Sequence, residues 1–362
     1  MTARDARFLT RREAVGASLG LALSLGLAAC STQQGQSQSS GGSADQSGSD
    51  RKDEPVAIKV ASLKGPTSIG IASLMDKANK GETQNHYDFK VASSPDEVIP
   101  EVAKGGFDIA LVPSNSAAVL YNKTDAGVSV IDINTLGVLS VVTANADIRE
   151  FADLAGHTVY LSGKAASPEY TMRELLDKAG IASSVTLEYK SEHAEVVSVL
   201  MGDESAIGIL PQPFVTVAMT KDARLKVPID LTELWSKLND DGSQLVQGVT
   251  IVQRSFLSEH PDAVQSFVKE HADSVQAANA DPKAVAPLVV SAGILDSEEV
   301  VERAIPGCHL VCITGDEMKA ALHGYLQVLF DADAASVGGA LPADNLDRKS
   351  TRLNSSHARL SR

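Results

Sequence analysis

Residues 103–124 read AKGGFDIALVPSNSAAVLYNKT. The run Phe107–Val112 is short and apolar, and Pro113 ends it, as a buried strand closed by a breaker. Ser114, Asn115 and Ser116 follow, side chains that satisfy the free N–H groups of a helix start, and the chain then restarts as a helix. Strand, turn and helix thus follow one another within 22 residues.

The same order extends outward. Upstream, Val56–Ser62 (VAIKVAS) predicts a strand, Lys64-Gly65-Pro66-Thr67 a turn, and Ser68–Lys80 one helix with Ile69, Ala72, Leu74 and Met75 on its apolar face. Tyr87–Ala92 predicts a second strand. Ser94-Pro95-Asp96-Glu97 opens a helix reaching to about Lys104, with a capping residue and proline at its first position. A β-α-β-α-β succession implies a parallel sheet with right-handed crossovers. Downstream, Val128–Asn134 and Gly137–Asn145 predict strands, and a second block repeats the pattern. Asp153–Thr158 leads into the strand Val159–Leu161, Ser162-Gly163-Lys164 turns, and Ser167–Ala179 is helical. Val185–Tyr189 is a strand, Glu192–Met201 a helix, and Ala206–Leu210 a strand closed by Pro211-Gln212-Pro213. Two such blocks, 55–135 and 146–240, predict two lobes with a cleft between them. Leu245–Gln253 reads as a strand returning from the second lobe to the first. The remainder is mostly helical, over Pro261–Ala278, Pro282–Ser291, Ser297–Ile305 and Gly315–Leu329. Asp316 and Glu317 complement the dipole at the last helix start.

The two ends differ in kind. Arg4, Arg7, Arg11 and Arg12 precede an uncharged stretch, Ala14–Ala29, that ends in Leu27-Ala28-Ala29-Cys30. That order reads as a lipoprotein signal peptide over 1–29, cleaved before Cys30, whose thiol takes the lipid. Arg11-Arg12 leaves the twin-arginine and ordinary secretory routes both open. Residues 30–54 are rich in Ser, Gly, Gln and Asp and read as a flexible tether. Asp347–His357 (DRKSTRLNSSH) matches the translation of a common sequencing adapter. Residues 347–362 therefore read as an artefact rather than a basic tail.

Charge narrows the function. The formal net charge is −14. Residues 347–362 carry five basic residues and one acidic, and residues 1–29 carry four basic and two acidic, so Cys30–Asn345 stands near −20. No basic footprint for a nucleic acid remains. About 290 residues from Pro55 to Asn345 suffice for two separately packed lobes. No further run of about 20 apolar residues offers a membrane span. Cysteines are few. Cys308 and Cys312 flank His309, but Cys308–Thr314 reads as a strand, in which positions four apart lie ~13 Å apart. That is too far for a disulfide or one shared ion, so both read as free buried thiols.

The segments LKGPTSIGIASLM (63–75), AKGGFDIALVPSNSAAVLYNKT (103–124), DLAGHTVYLSGKAASPEYTMRELL (153–176), AIGILPQPFVTVA (206–218) and AIPGCHLVCITGDEMKAAL (304–322) together resemble the type II periplasmic binding proteins of ABC importers. Among these the chain is similar to the nitrate/sulfonate/taurine and NMT1/THI5-like group. The resemblance implies an α/β fold of two lobes, each a mostly parallel sheet flanked by helices, hinged by two crossing strands. It implies lobe 1 over 55–140, lobe 2 over 141–245, and a return to lobe 1 with C-terminal helices over 246–346. It further implies a monomer that captures a small-molecule solute and delivers it to ABC permease and ATPase subunits, held by lipid at the outer face of the cytoplasmic membrane. No cofactor, metal or nucleic acid is expected. Relatives of this architecture also include enzymes making pyrimidine or menaquinone precursors, and an extracellular sensor module is a third reading.

In open α/β sheets ligands bind beyond the carboxyl ends of the strands, where helices begin. The expected ligand contacts are therefore Lys64, Gly65, Pro66 and Thr67, then Ser114, Asn115 and Ser116 in the first lobe. In the second they are Ser162, Gly163, Lys164 and Ser167, with Gln212 on its proline-flanked loop. Tyr170 and Phe214 fit either cleft or core, Trp235 reads as packing, and Glu192, His193 and Glu195 read as a solvated helix face. No nucleophile elbow, phosphate-binding loop, His-Glu-x-x-His or dinucleotide fingerprint occurs.

Overall fold

A computed structural model describes residues 54–93, 95–162, 164, 167–239, 243–343 and 346. The expected signal peptide, Cys30, nearly all of the tether, Gly163 and the 347–362 tail lie outside the described residues.

Among the described residues eleven strands form two sheets. They are β1 (Ala57–Leu63), β2 (His86–Ala92), β3 (Ile109–Pro113), β4 (Val128–Leu136), β5 (Leu139–Thr143), β6 (Thr158–Ser162), β7 (Thr186–Lys190), β8 (Ile207–Pro211), β9 (Lys226–Asp230), β10 (Val246–Gln253) and β11 (Leu310–Ile313). The first sheet has the order β11-β4-β10-β3-β1-β2, and the second β7-β6-β8-β5-β9. β1 runs parallel to β2 and β3, while β10 lies antiparallel between β3 and β4. β6 likewise runs parallel to β7 and β8, while β5 lies antiparallel between β8 and β9. The two sheets therefore share one plan. In each, the inner antiparallel strand enters from a crossing between the two halves, and in the first sheet β11 adds an antiparallel edge beside β4.

Two chain segments make those crossings. One is Gly137-Val138, between β4 and β5. The other follows the helix Leu231–Leu238 and enters β10. A Cβ on Gly137 would overlap Thr232 Oγ1 and lie 2.9 Å from Leu245 Cβ, so glycine is required where the crossings touch. His309 sits at the same place. Its backbone takes the left-handed φ of 44°, which a non-glycine residue rarely adopts. Its ring contacts the Gly137 carbonyl through Nδ1 at 2.5 Å and faces Asp230 Oδ2 from Nε2 at 3.6 Å.

Three expectations change. The helix expected over Ser68–Lys80 is two, Pro66–Ile69 and Ala72–Asn79. The break falls at Gly70, where a Cβ would lie 3.2 Å from Val275 Cγ2 of the helix Pro261–Ala280, so close packing decides the boundary. The strand expected over Cys308–Thr314 begins only at Leu310, because Cys308 follows the 3-10 turn Ile305–Gly307 and His309 is left-handed. The strand spacing therefore does not govern the two thiols. Both are free, with Cys308 buried and Cys312 half-buried. β9 and the helices Phe214–Lys221 and Leu231–Leu238 were not expected as elements.

The helix Gly315–Ala332 packs on the helix Ser114–Lys123 of the first half and on Ser167–Lys178 of the second. Its Tyr325, 2% exposed, meets the Ser167 hydroxyl on one side. On the other it meets the ring of Trp235, edge-on, at a centroid distance of 5.7 Å. Trp235 is fully buried and donates from Nε1 to Ser243 Oγ at 3.2 Å, in line with its reading as packing. Truncating Tyr325 removes a ring that ties the two halves. Tyr325→Ala is expected to destabilise by about 3–5 kcal/mol in urea unfolding followed by Trp235 fluorescence. Met201→Ala, at a 42% exposed position, is expected to change stability by under about 0.5 kcal/mol. Equal effects would contradict this packing.

Candidate functional site

The parallel strands of each sheet end on one edge, and helices begin there. In the first sheet β1 ends at Leu63 and the chain turns through Lys64 and Gly65 into Pro66–Ile69. Gly65 has φ 113°, open to glycine but strained for any side chain. Thr67 Oγ1 donates to the Leu63 carbonyl at 3.1 Å, and Ser68 Oγ donates to Ser62 Oγ at 2.6 Å. Lys64 is exposed, and Pro66 and Thr67 are half-buried. β3 ends at Pro113 and leads into the helix Ser114–Lys123. Ser114 turns inward and donates to the Val246 carbonyl at 2.6 Å. Asn115 Nδ2 reaches the Ser336 carbonyl at 3.4 Å, and Ser116 is half-buried.

The first residues of antiparallel β10 come to this same edge, with Gly248 opposite Pro113. A Cβ on Gly248 would overlap Asn134 Oδ1 and lie 2.7 Å from Thr67 Cγ2. Thr67, Asn134 and Gly248 are therefore in one place, and Asn134 was not among the expected contacts.

Behind Asn134 runs a chain of wholly buried polar side chains. Thr135 Oγ1 donates to Asn134 Oδ1 (2.9 Å), Asn134 Nδ2 to Thr250 Oγ1 (3.2 Å), and Thr250 Oγ1 to Asp132 Oδ1 (2.7 Å). His271 Nδ1 lies 3.2 Å from Asp132 Oδ2. A carboxylate only accepts, so Thr250 must donate to it and must accept from the Asn134 amide. Asp132 thus fixes which way Asn134 presents its oxygen and nitrogen.

In the second sheet β6 ends at Ser162, β7 leads toward the helix His193–Gly202, and β8 leads through Gln212 to the helix Phe214–Lys221. Ser162 Oγ meets His193 Nδ1 at 2.5 Å, and the His193 ring lies 5.0 Å from that of Phe214. The solvated face expected for His193 is therefore corrected. The ring sits between β6 and the next helix because the helix starts there and turns its first residue inward. Burial lowers its pKa below the ordinary imidazole value. Lys164 is exposed, with its ammonium 5.7 Å from the centre of the Tyr189 ring. Ser167 is taken up by Tyr325, and Tyr170 is core, donating to Asp333 Oδ2 at 2.9 Å. Gln212 Oε1 accepts from Thr216 Oγ1 at 2.9 Å, and its Nε2 would lie 2.8 Å from a Cβ on Gly307. The Gln212 backbone N–H donates to the Val138 carbonyl at 3.0 Å, fixing this loop to the crossing.

A separate cavity of about 600 Å³ lies between the helices Ser167–Lys178 and Gly315–Ala332. Its lining holds Glu169, Glu174, Asp177, Asp331 and Asp333 against Lys164 and Arg173, a balance that repels anions.

The NMT1/THI5-like family profile matches residues 88–285. The chain belongs to that family. The NMT1/THI5-like chain shares its fold with several solved proteins. An ABC transporter protein from Parabacteroides distasonis matches with a TM-score of 0.69 and 23% identity, over 82% of this chain and 100% of that one. The periplasmic aliphatic sulphonate binding protein SsuA from Escherichia coli matches at 0.62 and 14%, over 77% and 88%. The desulfurization enzyme DSZB matches at 0.56 and 15%, over 84% and 99%. No curated protein matches the chain. The two-lobed α/β expectation is borne out by these neighbours and by the paired sheets.

The lowered His193 pKa has a consequence for stability. An imidazole whose folded pKa lies below its unfolded value of 6.5 leaves the folded chain with fewer bound protons in that range. Stability is then present above about pH 6.5 and declines as pH falls toward the folded pKa. His193→Gln is expected to flatten that slope in urea titrations at pH 7.5 and 5.5. An unchanged slope would place the imidazole in water.

Proposed function

We propose that this NMT1/THI5-like chain is the solute-binding subunit of an ABC importer. It captures a small polar or anionic organic solute between its lobes and delivers it to the permease. It works outside the cytoplasm, anchored through lipid on Cys30. The observation that carries the reading is the paired plan of the two sheets. Each sheet gathers helix starts, small residues and hydroxyls at the carboxyl ends of its parallel strands, and two crossing segments join the sheets. Helix starts carry partial positive charge and free N–H groups, which suit anionic or polar ligand groups. In the first lobe the contacts we assign are Gly65, Thr67 and Ser116, with Asn134 beside them. In the second they are Ser162, Lys164 and His193, with Gln212 at the crossing. Ser114, Asn115 and Ser167 are given mainly a bracing role, because their polar groups are engaged within the fold. Among the described residues no helix is long and apolar enough to cross a membrane.

A second reading, catalysis on the same fold, draws on the likeness to DSZB and on the Ser162–His193 contact, a hydroxyl beside a neutral base. A turnover assay separates the two, since product formed by the unvaried chain and lost in Ser162→Ala would favour it.

Mass spectrometry of small molecules released from natively purified protein should identify one bound solute class. A thermal-shift panel of sulfonates, inorganic anions, pyrimidines and amino acids should show one class raising the midpoint. Ligand at 100 times its dissociation constant adds about 2.7 kcal/mol. Gly248→Ala, whose methyl group displaces Asn134 and Thr67, should abolish the shift while the variant stays folded. A panel with no shift at all, and no released solute, would overturn the binding role.

A further inference from the structure

Away from the strand ends, three side chains of metal-ligating type converge inside the first half of the fold. Asp132 comes from β4, His271 from the helix Pro261–Ala280, and Cys312 from β11. One donor atom from each, a carboxylate oxygen, an imidazole nitrogen and a thiol sulfur, lie within 4.8 Å of one another. Asp132 and His271 are 0% exposed, and Cys312 is half-buried against the apolar cluster of Ile131, Val252, Phe267 and Val268. The three elements are braced independently of the cluster. β11 pairs with β4, and the helix packs on both β11 and the helix Ala72–Asn79.

The donor set is the important feature. Carboxylate, imidazole and thiolate together suit a divalent ion of the zinc class, which takes oxygen, nitrogen and sulfur ligands tetrahedrally and tolerates a fourth water or carbonyl. Tetrahedral bonds of about 2.0–2.3 Å hold two donors about 3.3–3.8 Å apart, so these donors, all within 4.8 Å of one another, need draw together by about 1–1.5 Å at most to share one ion. Asp132 keeps an outer partner in Thr250, whose hydroxyl donates to the other carboxylate oxygen at 2.7 Å, as ligating carboxylates ordinarily do.

We propose that Asp132, His271 and Cys312 form a binding site for a zinc-class divalent cation that clamps the helix Pro261–Ala280 to the β4–β11 edge. On binding, the thiol proton leaves to solvent, sulfur and the Asp132 oxygen each contribute one negative charge, and the imidazole binds through the nitrogen that faces Asp132, its proton moving to Nε2. The two negative ligands and the dication then sum to zero. His271 Nε2 is buried without a hydrogen-bond partner. The loaded imidazole therefore lacks an outer acceptor, and affinity is expected to be about 10–100-fold weaker than in a site that has one. The site is linked to the candidate cleft through Asp132, whose partner Thr250 also holds Asn134, but its metal content is read without any solute.

The test uses the untagged full chain with Cys30→Ser, so that the Cys30 thiol does not compete. After chelator treatment it is dialysed against zinc chloride and its metal content measured, then titrated with cobalt(II). One equivalent of zinc per chain and a near-ultraviolet thiolate–cobalt absorption are expected. Cys312→Ser should remove the band, Cys308→Ser should keep it, and Asp132→Asn should weaken zinc binding at least tenfold. Circular dichroism of each metal-free variant checks its fold. Should Cys312→Ser fail to fold, the stoichiometry and the band of the unvaried chain still decide. Less than a tenth of an equivalent of zinc, or a band that survives Cys312→Ser, would reduce the cluster to a buried hydrogen-bonded pair beside a thiol.

Discussion

Each sheet is completed by a strand from the other half of the chain, and the rest of the structure depends on that exchange. β10 fills the gap between β3 and β4, and β5 fills the gap between β8 and β9. Without β10 the first sheet would split and leave two unpaired edges in its middle, at the full desolvation cost of buried backbone groups. The two crossing segments are thereby pinned at both ends, and under the proposed function the few residues between them are the ones that turn. Gly137 allows the crossings to touch, and His309 holds its strained backbone against the Gly137 carbonyl and faces Asp230. A hinge of few residues joining rigid bodies is the arrangement that domain closure requires.

The first half places an unusual amount of polarity in its interior. Asp132, Asn134, Thr135, Thr250 and His271 are each 1% exposed or less. Buried polar groups are costly unless satisfied, and a satisfied network specifies one arrangement of its members. The network runs from the helix Pro261–Ala280 to the strand-end edge, where Asn134 meets Thr67 and Gly248. A core feature and a surface feature are in this way one structure. The orientation of an amide at the candidate cleft is set by a carboxylate deep in the sheet.

Much of the fold was legible because it is written locally. Pro113 after FDIALV, glycine and proline after β1, and Pro211-Gln212-Pro213 after β8 mark strand ends by residue type alone. What escaped was decided by distant partners. The helix break at Gly70 comes from the approach of Val275, and β9 escaped because Pro228 and the 37% exposed Val227 suit only an edge strand. The turns at Gly65, Ser114 and Ser162 were legible as strand ends from their residue types. Asn134 was not, since Thr250 is 116 residues away and Asn134 lies within a strand rather than at a turn. His193 looked solvent-facing because nothing near it in sequence shows Ser162, 31 residues earlier, against its ring. Signals of this kind lie in tertiary contact, which periodicity does not record.

Hinged closure over a solute is the central claim, and the distance between the halves measures it most directly. Spin labels at Lys104 and Lys178, both exposed and on opposite halves, report that distance by pulsed electron resonance in the presence and absence of the solute recovered from native protein. The account predicts a broad distribution without solute that narrows and shifts when solute is added. One unchanged narrow distance in both conditions would contradict it.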